Sequence, residues 1–214
     1  MPTRTLSVRP DGALAAVPVL RFLPGERRDP EPRTARTADR GSNRCPVRLV
    51  RKAQRGDEKA FAALWERYAP TVRGILLTMF QPADAEDLSQ DVAVSALQAL
   101  PSLEKPDRFP SWLCSIARNA GRDALALRRR SLTAAGSDTE SMEAPPEGDP
   151  TEAGEILAQI RGLPECYRVP LMLRLVLEMS GPEIARHTGM TAGSVRVNLC
   201  RGMKLLRSRM KDWE

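Results

Sequence analysis

Apolar positions recur every three or four residues through most of the chain, and this spacing predicts helices rather than strands. In LVRKAQRGDEKAFAALWERY, the residues Phe61, Leu64, Trp65 and Tyr68 follow this period, and Asp57 stands where an N-cap is expected. Aromatic residues make up only 4% of the chain, so the core must be mainly aliphatic, which also favours helices. The predicted fold class is all-α.

The segment QPADAEDLSQDVAVSALQAL predicts a helix with two different faces. The face expected to turn to the core consists of Ala85, Leu88, Val92, Ala96 and Ala99. The opposite face consists of Glu86, Asp87, Gln90, Asp91, Val94 and Leu97. Acidic residues near a helix N-terminus commonly complement the helix dipole. An apolar pair within a charged surface is instead typical of a docking face, so we predict a protein partner here.

The next predicted helix, FPSWLCSIARNAGRDALALRRR, has an arginine stripe opposite its apolar face. The apolar face consists of Trp112, Leu113, Ile116, Ala117, Ala120, Ala124 and Leu127. Arg118, Arg122 and Arg129 align within about 40° of one another at 100° per residue. A solvated charged face is the alternative, but the stripe holds no neutralising acid, which favours a track for phosphates.

The stretch SGPEIARHTGMTAGSVRVNLCRGMKLL predicts a helix-turn-helix. Ser180 and Glu183 have capping-box spacing, and a short helix should follow them. Gly189 permits a left-handed turn, and Thr191 can cap the second helix. The buried side of that second helix is predicted to be Val195, Leu199, Met203, Leu206 and Met210. Its candidate DNA-contacting residues are Thr191, Ser194, Arg196, Val197, Cys200, Arg201 and Lys204.

Charge and proline content divide the chain into parts. The net charge of +6 favours an anionic partner such as nucleic acid. Residues 131–154 contain six acids and no Lys or Arg. We therefore predict a disordered basic extension over 1–46, a helical module over 47–130, a flexible acidic linker over 131–151 and a helix-turn-helix module over 152–214. A helix of the last module is expected to begin near Pro170 or to kink there.

The sequence offers little sign of catalytic chemistry. The four cysteines are widely spaced and only one histidine, His187, accompanies them, so neither a metal site nor a cofactor is predicted. We expect His187 to be a satisfied surface or interface residue. No apolar run approaches the roughly 18 residues of a membrane span, and the cysteine usage fits the cytoplasm. We predict that the protein is not an enzyme.

Four segments resemble bacterial RNA polymerase sigma factors of the extracytoplasmic-function type. They are FAALWERYAPTV, DAEDLSQDV, FPSWLCSIARNAGRDALALRRR and LPECYRVPLMLRLVLEMSGPEIARHTGMTAGSVRVNLCRGMKLLRSRM, in the family's order. The resemblance covers about residues 47–130 and 152–210. It implies that the chain binds core RNA polymerase and promoter DNA, with an anti-sigma factor as a further partner.

The resemblance also implies particular roles for particular residues. Asp87, Gln90 and Asp91 correspond to the family's docking surface for the largest polymerase subunit. Residues 101–111 correspond to the segment that captures a flipped base of the minus-ten box. Arg196 and Arg201 correspond to contacts with the minus-thirty-five box.

Two pairs of positions depart from the family pattern. Ala93 and Leu97 stand where aromatic residues are common, which bears on packing or docking affinity. Val197 and Asn198 replace a polar pair, which bears on the base preference.

An alternative function is a stand-alone helix-turn-helix regulator whose first module is a regulatory domain. Docking on RNA polymerase separates the two hypotheses.

Overall fold

The computed structural model describes residues 45–134 and 152–211, and these form eight α-helices. The helices are α1 (Val47–Ala53), α2 (Glu58–Leu77), α3 (Pro82–Ala99), α4 (Phe109–Ala134), α5 (Glu152–Arg161), α6 (Glu165–Leu175), α7 (Gly181–Thr188) and α8 (Ala192–Lys211). Two 3-10 turns, Leu100–Ser102 and Pro106–Arg108, lie between α3 and α4. Within these ranges there is no β-strand, and the predicted all-α fold is confirmed.

Helices α1 to α4 form the first module, in which α2 packs against the other three. Asp57 caps α2, because its carboxylate accepts a hydrogen bond from the Ala60 N–H at 3.0 Å. Leu64 and Tyr68 are buried as the helical period predicted, whereas Phe61 and Trp65 are only partly buried.

Helices α5 to α8 form the second module. Helix α6 was expected to begin near Pro170 or to kink there, but it begins at Glu165, after Pro164, and continues through Pro170. Pro170 is the sixth residue of α6 and lies past the first turn, so it removes one backbone hydrogen bond of the helix, and its ring is buried. None of the helices in the described ranges is both long and apolar enough to cross a membrane.

The two modules pack against each other. One hydrophobic cluster joins the core of the first module to residues of the second, namely Val169, Met172, Leu173, Ile184 and Val195. A smaller cluster within the second module consists of Ile156, Ile160, Leu163, Leu171 and Leu206.

Much of the predicted linker and extension falls outside the described residues. Helix α4 continues through residues 131–134, past the predicted boundary at 130, and residues 135–151 are not described. Of the predicted extension over 1–46, only Cys45 and Pro46 are described.

Candidate protein and nucleic-acid interfaces

Helix α3 presents an acidic and apolar surface, which we call the α3 face. Its inner side is fixed by Ala85, Val92 and Ala96, each fully buried. The side chains of Val94 and Leu97 on the outer side are 56% and 46% exposed. Asp87, Gln90 and Asp91 are exposed on the same outer side.

Glu86 differs from the other predicted docking residues. Its carboxylate forms an ion pair with Arg73 of α2, and Glu86 is only partly exposed. Glu86 therefore ties α3 to α2, while the remaining five members of the predicted docking set face outward.

The arginine stripe of α4 is present, but its members have different environments. Arg118 is half-buried and donates a hydrogen bond to Ser115 Oγ at 3.2 Å. Nη2 of Arg122 donates to both carboxylate oxygens of Glu165 on α6, at 2.9 Å each. Arg129 is exposed. The stripe thus meets the second module at Arg122.

One predicted core position of α4 is wrong. Leu127 is 65% exposed, although the helical period places it on the same face as the buried Leu113 and Ala117. The residues that follow it, 128–131, are also exposed, and Arg128 forms an ion pair with Asp84 at the start of α3 at 3.8 Å. The apolar period continues there, but no apolar surface of the described residues covers Leu127.

The loop between α3 and α4 is anchored by side chains from α1 and its flanks. The Gln54 amide donates to the carbonyls of Leu100 and Leu103, at 3.1 and 2.7 Å. The Cys45 thiol donates to the carbonyl of Pro106 at 3.2 Å. Sequence reasoning missed both anchors, because a side chain that binds distant backbone carbonyls leaves no periodic signal.

Two aromatic residues at the end of this loop belong to the packing of the first module. Phe109 is 1% exposed and lies edge-on to Tyr68, with ring centroids 5.4 Å apart. Trp112 is partly exposed, and its ring centroid lies 5.7 Å from that of Phe109. Of the two, only Trp112 has surface available for another molecule.

The helix-turn-helix forms as the sequence predicted. Glu183 accepts a hydrogen bond from the Ser180 N–H at 2.8 Å, and the capping box of α7 is complete. Gly189 ends α7 with φ 74°, a left-handed conformation in which a Cβ would be strained. Thr191 Oγ1 accepts a hydrogen bond from the Ser194 N–H at 3.1 Å and so caps α8.

Helix α8 divides into an inner and an outer face. Val195 and Leu206 are buried at 1% and 4% exposure, and Leu199 and Met203 are partly buried. Met210 was predicted on the buried side but is 40% exposed, although the adjacent Arg209 still donates a hydrogen bond to the carbonyl of Gln159 on α5. All seven candidate DNA-contacting residues are exposed, namely Thr191, Ser194, Arg196, Val197, Cys200, Arg201 and Lys204.

His187 is an interface residue, as expected, but its hydrogen bonding is incomplete. Its ring packs against Tyr68 of α2, with centroids 5.5 Å apart. Nδ1 is buried and has no hydrogen-bond partner among the described residues, so the expectation of a satisfied histidine is not met at this one atom. Burial, helped by the positive charge of Arg186, lowers the pKa of His187 to about 4.

Comparison with protein families gives a match in each module. Residues 64–131 match the family Sigma-70 region 2, and residues 153–206 match the family Sigma-70, region 4. The first match contains the α3 face and most of α4, and the second contains the helix-turn-helix.

Individual proteins are similar to this chain over most of its length. The RNA polymerase sigma factor CarQ of Myxococcus xanthus is 33% identical over 163 residues, which cover 74% of this chain and 94% of CarQ. The ECF RNA polymerase sigma factor BldN of Streptomyces coelicolor is 30% identical, covering 82% of this chain and 69% of BldN. The sigma factor RpoE of Bartonella quintana, solved with the anti-sigma factor NepR, shares the fold with a TM-score of 0.54 at 22% identity, covering 72% of this chain and 98% of the matched chain.

Proposed function

Because the chain belongs to the bacterial RNA polymerase sigma factors of the extracytoplasmic-function type, we propose that its two modules divide polymerase docking and promoter recognition between the surfaces described above. The protein binds core RNA polymerase and directs promoter-specific transcription initiation.

The α3 face is the proposed docking surface for the polymerase. The observation that carries this proposal is the exposure of Val94 and Leu97 between acidic side chains. Binding is favoured when a partner removes apolar side chains from water, because this lowers the free energy. The acids at the rim add orientation and specificity. Asp87, Gln90 and Asp91 form that rim, while Glu86 supports it through Arg73.

The loop between α3 and α4, together with the arginines of α4, is the proposed minus-ten surface. Separating a base from its stack costs a few kcal/mol, and a protein that uses no ATP must recover this cost through binding. Arg118, Arg122 and Arg129 supply positive charge for the phosphates, and the anchored loop supplies a preformed surface for the base. The chain thus contributes binding energy and the polymerase contributes the catalysis.

The outer face of α8 is the proposed minus-thirty-five reader. Arg196 and Arg201 are exposed on this face, and a guanidinium group is the side chain best suited to bind guanine edges in the major groove. Lys204 lies further along the helix and suits the phosphate backbone. No acidic residue occurs from 186 to 211, so this face carries no charge that repels DNA.

An anti-sigma factor is a further proposed partner. The RpoE structure contains such a factor, and this chain shares its fold. Because core RNA polymerase acts in the cytoplasm, we place the protein there.

Reconstitution with core RNA polymerase tests the proposed function. Purified core enzyme should start transcription at defined sites only when this protein is added, and mapping of the 5′ ends would identify the promoters. A chain that bound duplex promoter DNA tightly by itself, and left the start sites of the core enzyme unchanged, would favour the stand-alone regulator instead.

A further inference from the structure

The middle of the outer face of α8 is apolar. Val197 lies about two and a half helical turns before Leu206, so the two side chains point in opposite directions. Leu206 is buried in the smaller hydrophobic cluster of the second module, whereas Val197 is 45% exposed. Val197 therefore lies at the centre of the surface that α8 turns away from the protein.

The packing of the described residues does not explain a valine at this position. Val197 is neither a member nor a packed neighbour of the two hydrophobic clusters. Valine is also a weaker helix former than leucine or lysine, because its branched Cβ restricts the side chain against the preceding turn. The side chain of Val197 is therefore available to another molecule and contributes little to α8 itself.

Gly193 leaves a hollow beside Val197, one turn earlier on the same face. Gly193 is exposed, and a Cβ placed on it would meet only Thr191 Oγ1 among the described residues, at 4.0 Å. Packing within the protein therefore does not require a glycine here, and alanine would favour the helix more. What the missing side chain provides is room for another molecule to approach the backbone of α8.

The charges around Val197 indicate that this other molecule is nucleic acid. Arg196 precedes Val197, while Arg201 and Lys204 lie one and two turns further along α8, and all three are exposed. These cations attract a phosphate backbone, and no acidic residue from 186 to 211 opposes them. One valine among cations also offers too little apolar area for a stable protein interface. The surface therefore fits DNA.

Thymine is the base that matches an apolar side chain in the major groove. Its C5 methyl group lies at the groove edge, where the other three bases present hydrogen-bond donors and acceptors. Valine has no donor or acceptor, so over those bases it would leave a polar group without a partner or water. The first turns of a recognition helix reach the base edges, and Val197 is the sixth residue of α8.

We propose that Val197 recognises a thymine of the minus-thirty-five element through the C5 methyl group of that base, and that the hollow at Gly193 lets the DNA lie close enough for this contact. The proposal rests on the minus-thirty-five role assigned to the outer face of α8 above. Arg196 and Arg201 bind the duplex on either side, and Val197 distinguishes thymine from the other bases.

Uracil in place of thymine tests the contact, because it lacks the methyl group and keeps every hydrogen-bonding group. The probe is the promoter duplex found by mapping of 5′ ends, with deoxyuridine replacing each minus-thirty-five thymine of either strand in turn. Competition for the holoenzyme, formed by the full chain and core polymerase, gives the ratio of affinities. One replacement should weaken binding about fourfold, as expected for one buried methyl group.

Two variants assign the methyl contact to a residue. Val197→Ala should reduce the thymine-to-uracil ratio towards one. Leu205→Ala shortens another exposed apolar side chain of α8 and should keep the natural ratio. An element without thymine, a natural chain that binds all the uracil duplexes equally, or an undiminished ratio in Val197→Ala would overturn the proposal.

An added methyl group at Gly193 tests the hollow. Gly193→Ala should keep or raise the melting temperature of the chain, because the new Cβ meets no close atom. Holoenzyme binding to the natural promoter should nevertheless fall about fivefold or more, because the DNA can no longer approach as closely. Unchanged binding would overturn the close approach on which the contact depends.

The same experiments separate this inference from the proposed function. A holoenzyme that starts transcription at defined sites but does not distinguish thymine from uracil would refute the Val197 contact and leave the proposed function standing. A chain that gives core polymerase no promoter specificity would refute the proposed function, and the contact with it.

Discussion

The imidazole of His187 on α7 lies against the phenol ring of Tyr68 on α2, with ring centroids 5.5 Å apart. The pKa of His187 is lowered to about 4, chiefly by burial and further by the charges of Arg186 and Arg67, while Glu183 opposes the shift. Burial also raises the pKa of Tyr68 to about 12. Both rings are therefore uncharged in this contact at neutral pH.

The low pKa of His187 makes the stability of the chain depend on pH. An exposed histidine has a pKa of about 6.5, so between about pH 6.5 and 4 the unfolded chain binds more protons at this site. Above about pH 6.5 His187 is neutral in both states and costs no stability. The free energy of unfolding then falls as the pH drops from about 6.5 towards 4. The melting temperature should fall more steeply over this interval in the natural chain than in His187→Gln. Parallel curves would show that His187 is not buried in the free protein.

The α3 face predicts a selective defect in polymerase binding. Asp87→Arg places a positive charge at the centre of an acidic rim and should weaken binding to core polymerase by about tenfold or more. Binding to an isolated minus-thirty-five duplex should not change. Asp123→Arg, the same charge reversal at an exposed position of α4, serves as the control. Equal losses in both variants would indicate a general charge effect rather than a docking contact.

The outer face of α8 predicts two kinds of DNA contact. Arg201→Ala should cost about 1 to 3 kcal/mol at the preferred minus-thirty-five sequence and relax the base preference at one position. Lys204→Ala should weaken binding to all sequences alike and reduce the salt slope by about 1. Competition between mutated duplexes at several salt concentrations measures both effects. If Arg201→Ala weakened every duplex equally, Arg201 would be a phosphate contact.

We expect Gln54, which is not part of the proposed minus-ten surface, to affect promoter melting through its hydrogen bonds to the loop between α3 and α4. Gln54→Ala removes two hydrogen bonds to the loop carbonyls, at a cost of about 1 to 3 kcal/mol in loop stability. Gln54→Glu should be worse, because a carboxylate cannot donate to a carbonyl. Permanganate reactivity of unpaired thymines should fall in the holoenzyme with either variant, while minus-thirty-five binding stays normal. Unchanged reactivity would mean that the loop needs no anchor.

The helix-turn-helix could be predicted because its signals are local. The capping box of Ser180 and Glu183, the left-handed Gly189 and the Thr191 cap each depend on neighbours within a few residues. The period of α3 worked equally well, because its two faces meet different surroundings along the whole helix.

The helical period predicted burial wrongly at two positions near helix ends. Leu127 and Met210 continue an apolar pattern near the ends of α4 and α8, but their side chains are 65% and 40% exposed among the described residues. The amino-acid pattern states which side of a helix is apolar, but not how far along the helix that side is covered.

The packing of the modules could not be predicted from the sequence. The contacts of Gly74 with Leu177 and of Arg161 with the α2 carbonyls join residues that are distant in the chain. A lone glycine within a helix and an arginine near a helix end have many possible explanations until the distant partner is known.

The stability of the second module depends on the first module, because the two share a hydrophobic cluster. Of the apolar side chains buried in that module, Met172, Leu173, Ile184 and Val195 belong to the cluster shared with the first module. On its own the second module would keep mainly the small group around Ile160 and Leu171. A chain whose two modules are packed together should accordingly melt in one cooperative step. A chain whose modules have separated would expose this apolar cluster and would be the form that cellular proteases degrade first.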